Sequence, residues 1–161
     1  MEMVERAVET YDHLLWEAII RVCGGAISKG FRQQRGSASV TYEVPADPRL
    51  HLQEIEQEIF SFIISGLSIA KTSCGSLEEL KEICSRDEYR KFVEDAGRLW
   101  ESPFRVVQIG KRRSEKWVSC PCDGEHLNCT GELNMFKIEL KGPRNVGKDT
   151  YKFHFVISSQ R

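Results

Sequence analysis

The stretch VERAVETYDHLLWEAIIRVCGG, residues 4–25, decides how the rest of the chain is read. Val4, Ala7, Val8, Tyr11, Leu14, Leu15, Ala18, Ile19 and Val22 recur at spacings of three and four, the period of a helix with one apolar face. Gly24-Gly25 supplies a stop, so the spacing predicts a helix over residues 4–23. Beyond it, Gln34-Arg35-Gly36-Ser37 reads as a turn. Ala38, Val40, Tyr42 and Val44 then alternate with Ser39, Thr41 and Glu43, the pattern of a half-buried strand that Pro45 and Pro48 end.

A second helix is predicted over residues 51–65, with Leu52, Ile55, Ile59, Phe62 and Ile63 on one face, and a short strand over 67–72. Ser76 followed by Glu79 has the spacing of a capping box. The helical pattern behind it runs, with a break, to residue 99. After Pro103 the character changes. Residues 104–109, 116–120 and 135–140 read as strands, and 151–157 alternates cleanly between Tyr151, Phe153, Phe155, Ile157 and Lys152, His154, Val156. Helices come mostly early and strands mostly late, so the expected class is α+β, with helices packed on a mainly antiparallel sheet. The chain has no internal repeat and no stretch rich in Pro, Gly or Ser. Residues 1–161 are therefore read as a single domain.

Composition narrows the class of protein. Of the 161 residues, 40% are hydrophobic and 29% charged, which fits a globular chain with its own core. No apolar run reaches the roughly 18 residues of a membrane span, and residues 1–20 lack the order of a secretory signal, so no membrane partner and a cytoplasmic location are expected. Six cysteines in such a context read as free thiols or metal ligands rather than disulfides. Net charge is −1 but unevenly spread: residues 1–102 hold 12 Lys and Arg against 18 Asp and Glu, and residues 103–161 hold 11 against 6. The basic C-terminal part can face a phosphate backbone, and solvated surface charge is the alternative. Trp16, Trp100 and Trp117 read as core or rim aromatics.

Two segments carry chemistry. Glu9 and His13 stand four apart on the first helix and so point the same way, one turn apart. Cys122-Asp123-Gly124-Glu125-His126 brackets three residues, including a glycine, between a thiol and an imidazole. Together these give oxygen, nitrogen and sulfur donors, all of which zinc accepts.

The order of these segments resembles the alanyl-tRNA synthetase editing family, in its short, free-standing AlaX type. That family carries an HxxxH helix, a Q-x-G-S turn, a VRVV-x-IG strand, a CGGTH loop and a T-x-EIG-x-FKI strand. Here the counterparts are Glu9-x-x-x-His13-Leu14-Leu15, Gln34-x-Gly36-Ser37, Phe104-Arg105-Val106-Val107-Gln108-Ile109-Gly110, the 122–126 loop, and Thr130-Gly131-Glu132-Leu133-Asn134-Met135-Phe136-Lys137-Ile138. The resemblance covers about residues 5–157. It implies an editing-domain fold like that of alanyl- and threonyl-tRNA synthetases. It also implies a zinc site built by His13, Cys122 and His126, and a trans-acting hydrolase of mischarged tRNA(Ala) carrying serine or glycine. Glu9 stands where the family has its first histidine, Asp123 and Glu125 replace a Gly and the Thr of the loop, and Cys120 stands where an acidic residue is frequent.

Three states of Glu9 follow: a fourth ligand, a bystander to three ligands with one position open, or a general base at a metal-free site. The resemblance further implies that the Q-x-G-S turn and its strand line the amino-acid pocket, through Gln34, Ser37 and Thr41. Lys111, Arg112, Arg113, Lys137, Lys141, Arg144 and Lys148 are the candidate tRNA contacts. Competing expectations are a non-catalytic RNA-binding relative with a degenerate site and a protein with structural zinc only.

Overall fold

The long first helix sits at the centre of the molecule because its apolar stripe is wide enough to meet a sheet and a second helix together. The structure, a computed structural model, describes residues 2–96 and 103–160. Helix α1 (Met3–Cys23) buries Ala7, Val8, Tyr11, Leu14, Leu15, Ala18 and Ile19. Gly24 ends it in the left-handed region, φ 84°, with its N–H on the carbonyl of Ile20. A side chain with a Cβ adopts that conformation only at a cost, which is why glycine terminates the helix there.

One face of α1 lies on a four-stranded antiparallel sheet of order β1-β2-β7-β6. Its strands are β1 (Ile27–Gln34), β2 (Ser37–Glu43), β6 (Phe136–Gly147) and β7 (Thr150–Ser159). Ala38, Val40 and Tyr42 of β2 and Tyr151, Phe153, Phe155 and Ile157 of β7 are buried, while their alternates are not, as period-two strands with one covered face require. Tyr11 packs its ring 4.8 Å from that of Phe155. Leu14 and Leu15 have no exposure at all, and each such burial stabilises the fold by about 1.5–3 kcal/mol. Helix α2 (Leu52–Ser65) packs on α1 through Ile55, Ile59, Phe62 and Ile63.

A second antiparallel sheet has the order β3-β4-β5, with β3 (Ile69–Cys74), β4 (Phe104–Ile109) and β5 (Val118–Pro121). Val106, Val107, Ile109, Val118 and Cys120 are buried. Its register pairs Val107 with Cys120 and Val106 with Pro121, so the chain leaves β5 directly into the 122–126 loop. Between β3 and β4 lie α3 (Leu77–Ile83) and α4 (Asp87–Ala96). Ser76 caps α3 by accepting from the N–H of Glu79 at 3.1 Å, and the Glu79 carboxylate accepts from the N–H of Gly75.

The class is α+β, as read from the sequence, but with two sheets instead of one. Strand β1 was not expected. Ser28, Lys29, Gly30 and Arg32 break any alternation, and an edge strand needs little apolar surface because pairing with β2 supplies its hydrogen bonds. The helical run expected after Ser76 is two helices, since Cys84 turns extended at ψ 136°; residues 97–99 of that expectation lie outside the described residues. The strands expected at 67–72 and 116–120 are shifted two residues along the chain or shortened. The one expected at 135–140 begins after a 3-10 turn (Thr130–Met135) and runs on to Gly147. Trp16 is a core residue whose Nε1 donates to the carbonyl of Ala26, Trp117 is half-buried, and Trp100 lies outside the described residues.

A buried ionic network ties α1 to the α3–α4 unit. Glu17 is fully buried and accepts from Arg21 Nε at 2.7 Å, Arg86 Nη2 at 2.7 Å and the Tyr89 hydroxyl at 2.9 Å. Only the i,i+4 pairing with Arg21 is local; Arg86 and Tyr89 are over sixty residues away, so no periodicity shows the network.

Candidate metal centre

His13 reaches the site from the middle of α1, and Cys122 and His126 reach it from the loop after β5. Hydrogen bonds hold that loop against the helix. The N–H of Leu127 donates to Thr10 Oγ1 at 3.0 Å, and Thr10 itself donates to the carbonyl of Arg6. The N–H of Cys122 donates to the carbonyl of Arg105, continuing the sheet. Past the loop, the Glu132 carboxylate accepts from the N–H groups of Asn128 and Cys129, both at 3.1 Å. Thr130 Oγ1 donates to Phe62 O and accepts from the N–H of Leu67. The Thr130-x-Glu132 motif thus acts as a clasp that closes the loop onto α2.

The closure brings together residues more than a hundred positions apart. One ligand atom each from His13, Cys122 and His126 lies within 4.8 Å of the others. The two imidazole rings have centroids 5.0 Å apart. His13 Nε2 and both ring nitrogens of His126 are buried and have no hydrogen-bond partner among the described residues. Buried polar atoms are ordinarily satisfied, so an unmet nitrogen on each of two rings beside one thiol fits a cation that accepts N and S donors. On this test the residues fit zinc, with three protein ligands and a fourth position for something else.

Electrostatics favours the ligand forms of the imidazoles. Burial lowers the pKa of His13 to about 4. It lowers that of His126 to about 2, aided by His13, Lys71 and Arg105. Both rings are neutral near pH 7, with lone pairs free. The Cys122 thiol is pushed up to about 12, first by burial and then by the Glu9 charge. Without a metal it is protonated, and a metal must displace that proton. Zinc binding should therefore release close to one proton per ion between pH 6 and 8. The apparent Kd should fall roughly tenfold for each unit of rising pH. Calorimetry in buffers of different ionisation enthalpy counts that proton; a count of zero would remove Cys122 from the ligand set.

His13 is oriented from behind by Cys120, whose Sγ lies 3.1 Å from Nδ1. With the proton on Nδ1 the ring donates to sulfur, and Nε2 presents its lone pair to the centre. Burial keeps the Cys120 thiol neutral, far above the usual thiol range.

Glu9 lies beside the cluster and outside the converging set. Its Oε2 is 3.9 Å from Cys122 Sγ. Gly124 covers the carboxylate so closely that a Cβ there would sit 2.6 Å from Glu9 Cδ, which explains the loop glycine. Desolvation raises the Glu9 pKa, and Lys71 opposes it. Glu125 turns outward and pairs with Lys71 at 3.1 Å and Arg105 at 3.2 Å. These two cations hold its carboxyl below the usual range.

No known family's sequence model and no curated protein matches this chain.

A cavity of about 230 Å³ opens beside the centre, with Glu9, His13 and Cys122 on its inner wall. Asp12 and Tyr42 add polar groups, and Trp16, Phe31 and Phe92 give it aromatic walls. The sequence reading missed Asp12 and Tyr42. The available signal was Asp12 standing three residues after Glu9 on the same helix. Burial, and secondarily Glu9, raises the Asp12 pKa to about 8, against a hydrogen bond with Tyr42 that lowers it.

Gln34, Ser37 and Thr41 are not among the residues lining this cavity. Gln34 and Ser37 flank the β1–β2 turn, and Thr41 points to the face of β2 opposite Val40 and Tyr42, which do line it. Lys111, Arg112 and Arg113 are exposed in the β4–β5 turn, Lys137, Lys141 and Arg144 on β6, and Lys148 in the β6–β7 turn. They are spread over both sheets and none lines the cavity; Lys137 is paired with Glu139 at 3.6 Å. The six cysteines are free. No described helix is long and apolar enough to cross a membrane.

Proposed function

We propose that the chain is a trans-acting aminoacyl-tRNA deacylase that hydrolyses mischarged tRNA(Ala), carrying serine or glycine, at a zinc site. The observation that carries this reading is the convergence of His13, Cys122 and His126 beside an amino-acid-sized cavity. A metal held for structure alone has four protein ligands and no adjoining cavity; three ligands with an open side is the catalytic pattern. His13, Cys122 and His126 would hold the zinc, which when bound polarises the ester carbonyl and acidifies water.

The chain's own groups supply the rest. The cavity takes the aminoacyl side chain, the Glu9 carboxylate attracts the substrate ammonium, and Asp12, largely neutral at pH 7, accepts a hydrogen bond from it through its carbonyl oxygen. Glu9 accepts the proton of the attacking water. Its raised pKa brings it nearer the neutral range where a general base works best. Water adds to the ester carbonyl carbon, the bond to the terminal ribose oxygen breaks, and that oxygen takes a proton. The aromatic walls limit bulk water around the ester. Exposed Lys and Arg of the C-terminal part are the proposed contacts to tRNA phosphates.

A second reading, a non-catalytic RNA-binding relative, is favoured by Glu9 standing outside the converging ligands. Hydrolysis of Ser-tRNA(Ala) and Gly-tRNA(Ala) by zinc-loaded protein separates the two. The parent should turn over. Glu9→Gln should lose about 10²–10⁴-fold in kcat with its zinc content unchanged. An inert parent that gains activity on Glu9→His identifies the degenerate relative. A parent that neither hydrolyses the ester nor binds zinc ends the enzyme assignment.

A further inference from the structure

The outer face of the four-stranded sheet, turned away from α1, carries a groove of about 310 Å³ lined by Ser39, Lys141, Gly142, Arg144, Lys152 and His154. From this groove we infer a phosphate-binding site that takes the sugar–phosphate backbone of an RNA strand.

Strand register builds the site. Lys141 lies opposite His154, and Arg144 opposite Lys152, on the same side of β6 and β7. Between the two rungs β6 bulges, setting Gly142 and Pro143 opposite the single residue Phe153, which opens the groove. Gly142 has φ 89°, and a Cβ there would stand 3.1 Å from the carbonyl of Lys152, so the bulge depends on glycine. On the next strand, Ser39 continues the Lys141–His154 rung and holds His154 Nδ1 at 3.0 Å from its hydroxyl. Arg32 extends the same rung on β1.

The charge arrangement asks for an anion. Like charges directly opposite across a sheet are destabilising, yet Arg144 faces Lys152. No acidic side chain lines the groove, and neither Lys141, Arg144 nor Lys152 makes an ion pair among the described residues. A phosphate between the two rungs accepts from three cations and a hydroxyl or imidazole. The lining contains no aromatic ring on which a base could stack other than the imidazole. Binding is therefore to the backbone and indifferent to sequence. The choice of RNA over a free phosphorylated molecule rests on the deacylase reading; the phosphate site does not, since it needs neither metal nor hydrolysis.

The experiment uses the full chain and two probes, a non-aminoacylated fluorescent RNA acceptor-stem hairpin and inorganic phosphate. Phosphate should shift the backbone amide resonances of Lys152 and His154. The Arg144→Gln/Lys152→Gln double variant should abolish those shifts. It should weaken RNA binding on the order of tenfold at low salt and reduce the log–log salt slope by about 2. Its melting temperature should be no lower than that of the parent, because a repulsive pair has been removed. Lys81→Gln/Lys91→Gln, an equal charge change on α3 and α4, should leave the slope as it was. Phosphate shifts with unchanged RNA affinity would keep the site and overturn RNA as its ligand. An unaltered salt slope together with no phosphate shifts would overturn the inference entirely. Because the RNA carries no aminoacyl ester, neither result depends on whether the metal centre hydrolyses one.

Discussion

Replacing Glu17 by alanine should lower the free energy of unfolding by about 3 kcal/mol, at the lower end of the roughly 3–5 kcal/mol that follows when one partner of a buried ion pair is removed. The Glu17 carboxylate is wholly buried, so the groups that donate to it lose an acceptor that water cannot readily replace. Tyr89 suffers most, because its side chain is itself fully buried and its hydroxyl donates to Glu17 Oε1. Arg21 and Arg86 keep 16% and 35% side-chain exposure and can turn partly to water, which holds the loss to the lower end. Glu17→Gln retains one oxygen acceptor for Tyr89 but loses the charge and turns the other acceptor into a donor facing the arginines, so it should cost about 1.5–3 kcal/mol. Urea denaturation at pH 7 with an unchanged m-value measures both. A loss under about 1 kcal/mol for the alanine variant would mean that water enters and replaces the carboxylate.

The second large effect is on the metal. Cys122→Ala and His13→Ala should each reduce zinc affinity on the order of 10³-fold, because a three-ligand centre cannot lose a donor and keep its grip. Cys120→Ala should lose less, about 10–100-fold. It leaves all three donors in place and removes only the sulfur that accepts from His13 Nδ1. The ranking separates ligands from the residue that orients one. Competition against a chromophoric chelator gives the affinities. Thermal melts give an independent readout, since zinc at a hundred times Kd stabilises the native state by about 2.7 kcal/mol and should do so only in proteins that bind it. Equal zinc affinity in the parent and Cys122→Ala would show that the convergence of His13, Cys122 and His126 is packing and not coordination.

These expectations draw on different levels of information. By itself the sequence determined the α+β class. The three-four periodicity of α1 and the strict alternation of Tyr151, Phe153, Phe155 and Ile157 are local patterns, and each has one stable arrangement against a core. It also marked His13, Cys122 and His126, because donor type and spacing are properties of short segments. The tertiary structure decided the rest. Strand β1 exists because β2 offers it hydrogen bonds, whatever its own side chains prefer. Thr41 points away from the cavity, and Val40 and Tyr42 line it, because the face of β2 that meets α1 is the apolar one. Glu9 lies beside the ligands because Gly124 settles over its carboxylate. Arg144 and Lys152 meet only because β6 bulges at Gly142. The contact of Glu9 with Gly124 and that of β2 with α1 join residues distant in the chain, while the β1–β2 and β6–β7 pairings join near neighbours. In all of them the energy is set by burial and geometry that side-chain periodicity does not encode.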